Sequence, residues 1–196
     1  MNKILLIICC VLLFSCDNNE KSNELVKKAN GIFINSELNN KIRIDSSLSV
    51  INKAIKLNEN NFRAYEAKFI ILSEKKDVDG MLKSSSKLIE LRPNQPYWKL
   101  KKGFVLDLKN QPKKANDYYL KSIKEYKSLF EEGFNSFDLK LEYITALRAI
   151  NQKDKVDSIL SKMKTEYRSE TQKQILEFYK NDTLTKEKII NIWKNS

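Results

Sequence analysis

The chain has 196 residues, a formal net charge of +11 and no histidine. Lacking histidine, it lacks the commonest metal ligand and the commonest acid–base catalyst. Its three cysteines all lie at or before position 16, so the remainder has no disulfide and no thiol chemistry and must hold together by packing alone.

The first element is a leader. Met1-Asn2-Lys3 carries one positive charge, Ile4 to Phe14 is apolar without a break, and the chain turns polar at Asp17. A charged start, a short apolar run and a small residue before the cut describe a secretory signal peptide over residues 1–15. The run is too short for a membrane span, which needs about 20 residues. Leu13-Phe14-Ser15-Cys16 resembles the lipobox of bacterial lipoproteins, with Phe14 bulkier than usual for its position. The resemblance implies cleavage before Cys16, a diacylglycerol on its sulfur, and anchoring to a membrane of the cell envelope, periplasmic or surface-facing. Asp17 resembles an inner-membrane retention signal, which does not decide between membranes. The polar stretch Asp17 to Glu24 has no apolar periodicity and is expected to form a flexible tether, residues 16–23 being the lipidated cysteine and its linker.

Apolar residues then recur at helical spacing, and no segment alternates like a strand for long. Helices are expected near 22–36, 46–57, 61–74, 78–91, 96–109, 113–132, 138–150, 154–166, 169–180 and 185–195. The expected class is all-α, built of helical hairpins joined by short polar turns. Ala54, Leu88 and Ser122 close similar helix ends at intervals of 34 residues. Pro96 to Ile123 is the clearest repeat, with Gly103 in its first helix and Ala115, Tyr119 and Ser122 in its second. Met81, Ser85 and Leu88 hold the same places one repeat earlier, although Phe69 stands where a small residue belongs. Ser47, Ile51 and Ala54 hold them in the first repeat, after Ala29 and a longer turn. Ala146 and Ser158 suit a fourth.

In these residues the chain resembles the tetratricopeptide repeat family over residues 24–166. The resemblance implies an α-solenoid of three to four repeats whose first helices line a concave groove. Residues 167–196 are expected to be a C-terminal hairpin capping the last open face, with Ser169 and Gln172 as a capping box, Thr185 as an N-cap, and Ile189, Ile190 and Trp193 as its apolar side.

No catalytic constellation, phosphate loop or metal cluster is legible, and neither cofactor nor enzymatic activity is expected. Asp77-Val78-Asp79-Gly80 resembles part of a calcium loop, but Lys75 and Ser86 stand where acidic ligands belong, so it reads as a turn. Glu131 and Glu132 point about 100° apart on a helix and do not converge on one atom. Carried over from the family, the groove positions fall on Tyr97, Leu100 and Phe104, and on Lys140, Tyr143 and Leu147. They imply an apolar, aromatic strip with a basic edge, suited to a protein or peptide partner. Loss of residues 1–15 removes only Lys3 and leaves a charge of +10, spread among acidic residues. That is a solvated surface rather than a nucleic-acid site. The alternative is a structural envelope protein whose basic helices meet anionic lipid or another polyanion.

Overall fold

The computed structural model describes the backbone over residues 2–180 and 185–195, and side chains over 18–180 and 185–194. The described residues contain helices and turns but no strand. The chain forms two compact units that meet in sequence between Leu91 and Arg92. There α4 ends just before Pro93, and Pro96, which donates no backbone N–H, opens the next helix.

The first unit holds α1 (Asn2–Ile34), α2 (Asn40–Leu57), α3 (Phe62–Glu74) and α4 (Val78–Leu91). Each packs on the next, and α1 also reaches α3. Val26, Ala29, Ile44, Ile51, Ala54, Ala64 and Ile71 form the core among them. The expected flexible tether is corrected by α1, which contains the stretch up to Glu24 and buries Ser22 fully. The Ser22 hydroxyl donates to the Ala54 carbonyl at 2.8 Å and accepts from Asn61 Nδ2 at 2.7 Å. Asn61 also caps α3 through the Ala64 amide. A polar residue on this face is stable because each of its groups finds a partner, which hydropathy alone does not register. The side chains of the leader and of Cys16 lie outside the described residues. Among the described residues no helix is long and apolar enough to cross a membrane.

The second unit holds α5 (Pro96–Leu108), α6 (Pro112–Glu131), α7 (Phe137–Ala149), α8 (Lys153–Glu166), α9 (Glu170–Lys180) and α10 (Lys186–Asn195). Helices α5 to α9 pack in chain order. Thus each unit stacks hairpins as neighbouring pairs, the arrangement of an α-helical repeat solenoid. At the C-terminal end α9 packs on α8, and α10 packs back on α5.

One buried pattern recurs in the second helix of every hairpin. Ser47, Ile51 and Ala54; Met81, Ser85 and Leu88; and Ala115, Tyr119 and Ser122 are all almost completely buried, at intervals of 34 residues. The fourth set is Val156, Leu160 and Met163, displaced by 41 from the third. Ser158, expected to be its small residue, is exposed, and the register is corrected by two positions. The cause is α6, which has 20 residues where α4 and α8 have 14. The hairpin turns keep the same count. Lys76, Asn110 and Asn151 take left-handed conformations with φ of 59°, 56° and 58°. The amides after them bond to Leu72, Leu106 and Leu147 at 3.0, 2.9 and 3.0 Å, which are Schellman closures. Asp77 accepts from the Gly80 amide at 2.9 Å and so opens α4, as expected of a turn.

Gly103 sets the approach of α5 to α6. A Cβ there would stand 2.3 Å from Tyr119 Cε1. Gly103→Ala is expected to destabilise the chain by about 1–3 kcal/mol, the cost of overpacking a filled core. A urea unfolding midpoint unchanged from wild type would contradict this account of the contact.

Candidate binding groove

Two helices of the second unit present matching stripes to one cavity. Tyr97, Leu100, Lys101 and Phe104 lie on α5 at i, i+3, i+4 and i+7, and Asp138, Leu141, Glu142 and Thr145 repeat that spacing on α7. With Tyr179 of α9 and Ile189, Ile192 and Trp193 of α10 they enclose about 470 Å³. That size falls among ordinary ligand sites, which run from about 300 to 1,000 Å³.

The expected residues divide. Tyr97, Leu100 and Phe104 line this cavity. Lys140 and Tyr143 instead line a second one of about 270 Å³ with Phe130, Asn135, Ile159 and Met163. There Lys140 pairs with Glu166 at 2.6 Å and lies over the Tyr167 ring, and Tyr143 stacks edge-on to Phe130. Leu147 is buried core, 1% exposed, and lines neither. A single strip across all six residues is therefore corrected. The true counterparts of Tyr97, Leu100, Lys101 and Phe104 stand 41 positions on, at Asp138, Leu141, Glu142 and Thr145, the same displacement as in the buried sets. The register placed on Ala146 and Ser158 missed them by two positions. The signal that finds them is the length of the apolar pattern in α6.

Three ionisable side chains line the cavity, Lys101, Asp138 and Glu142. Lys101 Nζ lies 5.0 Å from the Tyr97 ring centre and 5.3 Å from that of Trp193. Burial lowers its pKa, against the pull of Glu142. Burial raises the pKa of Glu142, against a hydrogen bond from Tyr126, whose hydroxyl donates to Oε2 at 2.9 Å, and against Lys101. The Tyr126 phenol is held far above its ordinary range by burial and by that carboxylate. Lys101 and Glu142 are thus two opposite, weakly solvated charges set beside aromatic rings.

Helix α10 forms one wall. Trp193 meets Phe104 edge-on with centroids 6.1 Å apart. Lys186 Nζ reaches Asp107 Oδ2 at 3.1 Å, where the Asp107 side chain is only 6% exposed. The Tyr119 hydroxyl donates to the same oxygen at 2.7 Å, and burial together with this carboxylate keeps the phenol protonated. Tyr179 is held by Arg148, which donates to its carbonyl and lies 5.5 Å from its ring centre.

No model of a known protein family matches the sequence, and no curated protein matches it either. Among the described residues no group of three or more acidic or cysteine side chains is placed to hold a metal ion.

Glu142 gives the groove a pH signature. Its folded pKa lies above the ordinary 4.5, so the folded state binds more protons than the unfolded state just above pH 4.5. Stability contributed by this site is therefore present at low pH and lost as pH rises through the folded pKa. Glu142→Gln is expected to remove that decline and make the chain more stable than wild type at pH 7. Parallel unfolding midpoints for the two chains between pH 4.5 and 7 would refute the burial of this carboxylate.

Proposed function

We propose that this chain is a tetratricopeptide-like binding module, held at a bacterial membrane by lipid on Cys16, that docks a protein or peptide in the groove of its second unit. The observation that carries the reading is the cavity itself. It has aromatic and aliphatic walls on two stripes of helical spacing and a few charges held inside. Its volume suits a few side chains of a partner rather than a whole folded surface. Apolar walls with Tyr and Trp anchors supply the contacts that dominate binding energy.

The polyanion alternative is less well supported by the distribution of charge. Several lysines are neutralised locally, among them Lys75 by Asp45, Lys99 by Glu125, Lys140 by Glu166 and Lys164 by Glu177. Polyanion binding weakens steeply with salt, and binding in an apolar groove does not.

Two experiments test the two halves of the proposal. Tyr97 and Lys101 are half-buried and line the groove, so they are better probes than Phe104, whose 1% exposure makes it part of the core. A Tyr97→Ala, Lys101→Ala double variant is expected to lose capture of the principal partner from crosslinked envelopes by about tenfold or more. An unchanged set of captured proteins, at equal helicity, would refute the groove. Cys16→Ala is expected to abolish metabolic labelling by a clickable fatty acid in a bacterial host and to release the chain from the membrane fraction. Labelling that persists in the variant would refute lipidation at this position.

A further inference from the structure

The groove is not open along its length, because part of it is covered by a helix of the same chain. Lys186, Ile189 and Trp193 lie at i, i+3 and i+7 on α10, the spacing by which amphipathic helices seat in apolar grooves; the first and last meet Asp107 and Phe104 of α5, and Ile189 lines the cavity between them. We infer that α10 occupies the groove as an internal stand-in for the partner. The partner is then an amphipathic helix with a cation at one end of its apolar stripe and an aromatic residue at the other, and it enters by displacing α10. This rests on the groove-binding reading and names its partner and its control.

Three observations support displacement rather than a permanent wall. First, α10 is shallowly seated. None of its described residues is buried and Ile192 is 53% exposed, whereas neighbouring α9 buries Leu176 to 2%. Second, α10 has 10 residues, fewer than the roughly 12–15 at which a free helix becomes even marginal in water, so it depends on its docking contacts. Third, what it covers is built for a ligand of its kind. Asp107 is almost enclosed yet accepts from Lys186, and Phe104 and Lys101 both address the Trp193 ring. A cation and an aromatic ring set about two turns apart on another helix would meet the same groups. Because α10 is tethered, its effective concentration at the groove is in the millimolar range for a short connection, so a free helix of equal intrinsic affinity is held off until α10 is weakened.

The test uses full-length chain and, as probe, a fluorescent synthetic peptide with the sequence of residues 185–196. The chain is compared with a Lys186→Glu, Trp193→Ala variant, both changes lying on half-buried positions. The peptide is expected to bind the variant at least about tenfold tighter than wild type. Adding Tyr97→Ala and Lys101→Ala, both on half-buried positions of the groove wall, is expected to abolish that gain. Equal affinity for wild type and variant, weakened in both by the groove changes, would overturn the competition by α10 while leaving a helix-binding groove intact. Binding to neither chain, or binding indifferent to the groove changes, would overturn both the inference and the groove reading beneath it.

Discussion

The contact on which the second unit turns is the ring of Tyr119 laid against Gly103. The glycine has no Cβ, so α6 comes close enough to α5 for the phenol to pass over it and present its hydroxyl to Asp107. That hydrogen bond fixes the carboxylate in a nearly closed place, and the fixed carboxylate holds Lys186. Core packing, a buried polar bond and the docking of α10 are thus one chain of dependence. A larger residue at 103 would move the ring, and the effect would pass to a helix more than eighty positions away. Ser122 adds a second tie by donating to the Pro96 carbonyl at 3.0 Å, which pins the start of α5 to the same face of α6.

The first unit solves a similar problem with polar groups. Ser22 and Asn61 join α1, α2 and α3 through buried hydrogen bonds, one of them to the Ala54 carbonyl. Such a network stabilises only while it is complete, since an orphaned donor in that setting costs about 1–3 kcal/mol. It also gives the packing one geometry, where apolar contact alone tolerates several.

Helices α3 to α10 were legible from apolar spacing and from Gly, Pro and Asn at the turns, with ends within a few residues; α2 was legible too, although it opens several residues earlier than its apolar pattern. The exception was the start of α1, expected near residue 22 and found at Asn2, because the stretch from Asp17 to Glu24 has no apolar stripe and Ser22 seats there through hydrogen bonds to Ala54 and Asn61. The groove was half legible. Tyr97, Leu100 and Phe104 followed from the repeat around Gly103, whereas Asp138, Leu141, Glu142 and Thr145 were hidden by the length of α6. Neither Lys101 nor Glu142 stands out in a chain rich in lysine and glutamate; only a shared cavity and its desolvation single them out. The landing of α10 on α5 is a tertiary choice, and its amphipathic stripe fitted an end cap equally well.

The displacement of 41 rather than 34 has a further meaning. Six of the seven added residues lengthen α6, and the seventh lengthens the connection after it, which has five residues before α7 where four stand before α5. The six carry α6 about 9 Å further along its axis and turn its end to about 120° short of two full circles, so the chain leaves α6 from a different side than it leaves α4. The end of α6 that this growth adds carries Phe130, which lines the second cavity beside Tyr143 and Met163.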